Sequence, residues 1–137
     1  MFEWKIRVYW EDTDAGGIVF YANYLKFFER ARTEWLRSLG LGQQQLRDQT
    51  GGMFVVTRTA VDYLRSARLD DELSIHTTIA RAARASLQLD QSAWRGTECL
   101  CRGQITIGWV EAGTLRPRRI APEIARALQI EGNKDTE

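Results

Sequence analysis

The sequence predicts an α+β fold in which one antiparallel sheet packs against a single long helix. Three observations predict it. A short period-two segment opens the chain, a segment of period three to four follows, and four longer period-two segments joined by polar turns complete it. Strands and helices do not alternate as a doubly wound sheet would require, and no internal repeat or low-complexity tract interrupts the pattern.

Residues 4–11 alternate, with Trp4, Ile6, Val8 and Trp10 on one face and Lys5, Arg7, Tyr9 and Glu11 on the other, which predicts a half-buried strand. Asp12 to Gly17 then form a turn, where glycine permits positive φ. Tyr24, Phe27, Phe28, Ala31, Trp35 and Leu39 recur at steps of three and four, predicting a helix of about four or five turns. Asn23 is placed to cap its start and Gly40 or Gly42 to end it. Gln43 to Gln49 predict a short helical turn, and Gly51-Gly52 break it.

Beyond that break the chain is predicted to be β until about residue 111. Val55, Thr57, Thr59, Val61 and Tyr63 alternate with Val56, Arg58, Ala60 and Asp62. Leu73, Ile75, Thr77 and Ile79 form the next stripe after a turn at Asp70-Asp71. A connection at Arg81 to Ala85 leads to Leu87, Leu89, Gln91 and Ala93, and Arg95-Gly96-Thr97 turn into Cys101, Gly103, Ile105, Ile107 and Trp109. Ala121 to Leu128 suggest a terminal helix. We expect one domain over residues 1–132 and a disordered tail over 133–137.

Composition narrows the chemistry. With 137 residues the chain can bury a core without staples. A net charge of +1 provides no basic field for nucleic acid, so an anionic ligand must rely on local arginines. The N-terminus lacks a signal-peptide core and no apolar stretch is long enough to span a bilayer, so we expect a cytoplasmic location. Cys99 and Cys101 have no second cysteine pair, and His76 is the only histidine, which argues against a structural zinc site and for free thiols. We expect neither a metal nor a cofactor.

Phosphate-cradling, dinucleotide and nucleophile-elbow motifs are absent. His76 falls on the polar face of its strand beside Ser74 and Thr78, where solvation explains it. Carboxylate chemistry remains. In YWEDTDAGGIVFYANY, residues 9–24, a strand brings Glu11, Asp12 and Asp14 to a glycine turn just before a helix. A partly desolvated carboxylate gains basicity, and a helix N-terminus offers unpaired amides to an oxyanion. Glu11 and Asp12 suit turn roles. From residue chemistry alone, Asp14 serves equally as a turn residue or as a catalytic carboxylate.

The stretch VYWEDTDAGGIVFYANYLKFFERARTEWL resembles the opening of the YbgC-like acyl-CoA thioesterases and is similar to the related 4-hydroxybenzoyl-CoA thioesterase. A looser likeness continues through DYLRSARLDDELSI and over nearly the whole chain. The resemblance implies the hotdog fold, a five-stranded antiparallel sheet wrapped around one long central helix. It implies hydrolysis of an acyl-CoA thioester to a carboxylic acid and free CoA. Asp14, the second acid of DTD, would be general base or nucleophile, and the Tyr21 backbone N–H would be the oxyanion donor. Many YbgC-like members carry histidine where this chain has Tyr21; the backbone N–H survives that exchange.

Glu29 is a secondary positioning candidate. Arginines suit the CoA phosphates, and Arg81 with Arg84, and Arg116, Arg118 and Arg119, are the candidate clusters. The resemblance further implies a homodimer or homotetramer with sites between subunits, association with the Tol-Pal system, and acyl carrier protein as a further partner. A non-catalytic acyl-CoA or acyl carrier protein binding module, or a hotdog dehydratase or hydratase, are the alternatives.

Overall fold

The structure, a computed structural model, describes residues 1–130; the expected tail at 133–137 lies outside them. Five strands form one antiparallel sheet: β1 (Phe2–Arg7), β2 (Gly52–Tyr63), β3 (Glu72–Ala82), β4 (Ser86–Arg95) and β5 (Glu98–Glu111). Their spatial order is β1-β3-β4-β5-β2, so β1 and β2 are the two edges. The helices are α1 (Asn23–Ser38), α2 (Gln43–Thr50) and α3 (Pro122–Ala127).

The 16-residue α1 is the long helix that the periodicity predicts, and it packs on β1, β3 and β4. It buries Tyr24, Phe27, Phe28, Ala31, Trp35 and Leu36. Removing one such large side chain from water is worth about 1.5–3 kcal/mol. Gly40, at φ +76°, ends the helix in a Schellman arrangement: its N–H donates to the Arg37 carbonyl at 3.1 Å, and the Leu41 N–H donates to the Leu36 carbonyl at 2.8 Å.

The inward sheet face carries Leu73 and Ile75 of β3, Leu87, Leu89 and Ala93 of β4, and Cys101, Ile105, Ile107 and Trp109 of β5, all buried. Gly103 continues that face because Phe28 occupies the space; a Cβ there would lie 3.1 Å from Phe28 Cε2.

Three expectations need correction. The first strand stops at Arg7, and Trp10–Asp12 form a 3-10 turn. The buried Asp12 carboxylate accepts the Tyr9 N–H at 2.8 Å and bends the chain, so Trp10 is 79% exposed instead of facing the core. Asn23 does not cap α1. Ala22 is the cap residue, and Asn23 Nδ2 donates back to the Asp12 carbonyl at 2.9 Å. The alternation in β2 does not bury one face: residues 56–60 are all exposed, because β2 is an edge and a bulge between Val56 and Arg58 shifts its register.

Candidate active site

Asp14 sits in a small hairpin closed by two backbone hydrogen bonds, which together make one antiparallel bridge. The Asp14 N–H donates to the Ile18 carbonyl at 2.8 Å and the Phe20 N–H donates to the Asp12 carbonyl at 3.0 Å, pairing Thr13 with Val19. Asp14 Oδ1 accepts the Gly16 N–H at 2.8 Å, an Asx turn, while Gly17 takes φ +80°. Its Oδ2 has no partner among the described residues. The sequence argued for a partly desolvated carboxylate, but in the single chain Asp14 is exposed.

The same hairpin leads into α1. The Asn23 N–H donates to the Phe20 carbonyl at 2.8 Å, while no partner among the described residues accepts the N–H of Tyr21 or Ala22. No side chain caps this end. Two amides therefore stand open where the helix dipole is positive. The turn holding Asp14 and these amides are the two ends of one clasp, anchored at Asp12.

Residues 64–71 brace the clasp. The Val19 N–H donates to the Ala67 carbonyl at 2.9 Å, Ile18 bridges Arg68, and the Ala67 N–H donates to the Tyr24 hydroxyl at 3.1 Å. Arg95 fixes this segment through Asp71 at 2.8 Å and the Ser66 carbonyl at 3.2 Å, and is itself held by Glu98 of β5 at 2.7 Å. Reasoning from sequence did not select Arg95, since nothing local distinguishes it from the other arginines; its partners Asp71 and Ser66 precede β3 and meet it only in the folded sheet. Beside the open amides, the Tyr21 ring packs on Phe20 at 4.9 Å and on Tyr63 at 5.7 Å, so the site has an aromatic wall.

The candidate CoA arginines lie elsewhere. The Ile120 N–H donates to the Arg84 carbonyl at 2.8 Å, which brings Arg81 and Arg84 together with the loop of Arg116, Arg118 and Arg119. Arg118 Nη1 also donates to the Thr50 carbonyl at 3.0 Å. This basic end adjoins Ser86 of β4, whereas the Asp14 clasp adjoins the Arg95 end. The ten residues of β4 separate them by about 30 Å. Within one chain the structure does not bring Asp14 and the arginines together.

Glu29 is exposed on α1, where its carboxylate accepts the Thr33 hydroxyl at 2.8 Å. His76 is on the outer sheet face as expected, half-buried and stacked on Trp94 at 5.5 Å. Both cysteines are free, and burial pushes the Cys101 thiol up to about 12, beyond use as a nucleophile. No candidate metal cluster occurs among the described residues, and no helix there is long and apolar enough to cross a membrane.

Residues 16–101 match the thioesterase superfamily, beginning two positions after Asp14. Over 127 residues, spanning 93% of each chain, the sequence is 40% identical to the acyl-CoA thioesterase YbgC of Haemophilus influenzae. It is 39% identical to the acyl-CoA thioester hydrolase YbgC of Escherichia coli O157:H7, over 90% of this chain and 92% of that one. Among solved structures, a probable thioesterase from Bartonella henselae superposes with a TM-score of 0.82 at 33% identity, covering 87% of this chain and 98% of the other.

Proposed function

The chain belongs to the thioesterase superfamily and is a thioester hydrolase with the hotdog fold, and on that premise we propose that Asp14 is its catalytic carboxylate and the Tyr21 N–H its oxyanion donor, acting on an acyl-CoA. One observation carries this reading: the clasp that presents the free oxygen of Asp14 also holds the open Tyr21 amide at the start of α1. A thioester carbonyl accepting that N–H gains negative charge as it is attacked, and the preoriented amide stabilises it. Asp14 either deprotonates the attacking water or attacks directly to form a mixed anhydride. An acyl adduct trapped on Asp14 in a single turnover marks the second route, and its absence the first.

The assembly we propose is a homodimer, or a dimer of such dimers, paired through β2. An exposed edge strand invites a partner. Pairing two β2 strands antiparallel about a twofold axis sets the Gly52 end of one chain beside the Tyr63 end of the other. That removes the 30 Å separation, because the arginines of one subunit then approach the Asp14 clasp of its partner, and it covers the exposed carboxylate.

The test is Asp14→Asn, assayed by trapping released CoA thiol from short, long and aromatic acyl-CoAs. We expect a soluble, folded variant with turnover reduced at least about a thousandfold. Near-normal turnover in that variant removes the assignment.

A further inference from the structure

Arg32 interrupts the apolar stripe of α1, four residues after Phe28 and three before Trp35. Across the core, Gln91 is 1% exposed. Gln91 Nε2 donates to the Phe28 carbonyl at 3.0 Å and to the Thr77 hydroxyl at 2.9 Å. The Phe28 carbonyl can only accept, so the amide orientation is fixed and Gln91 Oε1 must face Arg32, whose Nη1 donates to it at 2.9 Å.

A neutral amide thus holds the guanidinium, and Arg32 itself forms no ion pair with any described residue. Every fully buried side-chain nitrogen or oxygen there has a hydrogen-bond partner. The remaining nitrogens of Arg32 have no hydrogen-bond partner among the described residues, so they are not fully buried. Beside them is a pocket of about 160 Å³ between α1 and β2, where Arg32 and Glu29 meet the polar Thr33 and Gln43 and the apolar Leu36 and Phe54. Burial lowers the Arg32 pKa, and the Glu29 carboxylate, three residues back on the same helix and lining the same pocket, opposes this.

Resting on the thioesterase reading above, we propose that this pocket receives the far end of the acyl group and that Arg32 and Glu29 select a hydroxyl there. A plain alkyl end would strip water from a cation and a carboxylate and return no hydrogen bond. A carboxylate end would suit the guanidinium but meet Glu29. A hydroxyl serves both: its oxygen accepts a hydrogen bond from Arg32 and its O–H donates one to the Glu29 carboxylate. Along α1, Glu29 lies about 9 Å beyond Asn23, a span that an eight-carbon chain covers and a four-carbon chain does not.

The test compares kcat/KM of the full-length enzyme for octanoyl-CoA, ω-hydroxyoctanoyl-CoA and suberoyl-CoA, with butanoyl-CoA as a chain too short to reach. We expect the hydroxylated ester to be preferred over octanoyl-CoA by at least about tenfold, and suberoyl-CoA to be no better than octanoyl-CoA. Arg32→Met should bring the hydroxyl preference close to one, and Arg32→Lys, which keeps a donor cation, should retain part of it. Turnover of these esters with no hydroxyl preference in the wild type overturns the inference, as does a preference for suberoyl-CoA or a preference that persists in Arg32→Met. Failure of the underlying reading is a different result: no CoA ester is turned over, or Asp14→Asn keeps its activity.

Discussion

The Tyr24 hydroxyl accepts the backbone N–H of Ala67 at 3.1 Å, joining the first turn of α1 to the segment that braces the Asp14 hairpin. The Ala67 carbonyl in turn accepts from Val19, so one residue links the helix start to the hairpin. Tyr24→Phe leaves that N–H without a partner in a buried setting. We expect a loss of about 1–3 kcal/mol in urea unfolding and a fall in kcat larger than any change in KM. Wild-type values for both would remove Tyr24 from the brace.

Asp71 makes the brace sensitive to acid. Burial pushes its carboxyl up, but the Arg68 N–H and the Arg95 guanidinium outweigh this and hold it below the usual carboxylate range. A depressed folded-state pKa stabilises the protein above the unfolded value of about 3.9, and that contribution is lost as pH falls through the lower folded value. Wild type should therefore lose more stability than Asp71→Asn between about pH 5 and about pH 3, with the variant already weaker at neutral pH. Parallel urea midpoints for the two proteins across that window would show that the pair contributes nothing.

Gly52 opens β2 directly against Trp109. A Cβ at that position would lie 2.8 Å from Trp109 Cε2 and 3.0 Å from Cη2, and the indole is 1% exposed with nowhere to move. Gly52→Ala should cost about 1–3 kcal/mol by overpacking, measured as a lowered Tm. Gly113, with nothing near its Cβ position, is the control that should tolerate alanine.

Much of this was legible in the chain. Except for Leu39, which is exposed just past the end of α1, the stripes in α1, β3, β4 and β5 pack toward the core, and a period of two or 3.6 carries that information locally. Trp10 and Asn23 were misplaced for a shared reason. The Asp12 carboxylate captures the Tyr9 N–H and the Asp12 carbonyl captures the Asn23 amide, and side-chain to backbone competition of this kind leaves no periodic trace. β2 misled because alternation predicts a strand without saying whether it is an edge. Within the candidate site, Asp14 and Tyr21 are named by the resemblance, since residue chemistry alone leaves Asp14 open between a turn and a catalytic role. Arg95, Tyr24 and Gln91 act through partners 24 to 63 residues away, and a single sequence does not encode such pairings visibly.

The sharpest claim about the site concerns a backbone atom, which ordinary side-chain substitution leaves untouched. Tyr21→Pro deletes the N–H proposed to hold the oxyanion, but it also deletes the ring that packs on Phe20 and Tyr63. Tyr21→Ala removes the same ring and keeps the N–H. The ratio between these two variants therefore isolates the amide. Losing one oxyanion donor typically costs about 100- to 1000-fold in kcat, so we expect Tyr21→Pro to fall below Tyr21→Ala by that order, with KM for the acyl-CoA little changed between them. Far-UV circular dichroism and Tm of the pair check that α1 still forms when its preceding turn carries proline. Equal kcat values in two folded variants would mean that the carbonyl finds its donor elsewhere, with the neighbouring Ala22 N–H the next group to remove.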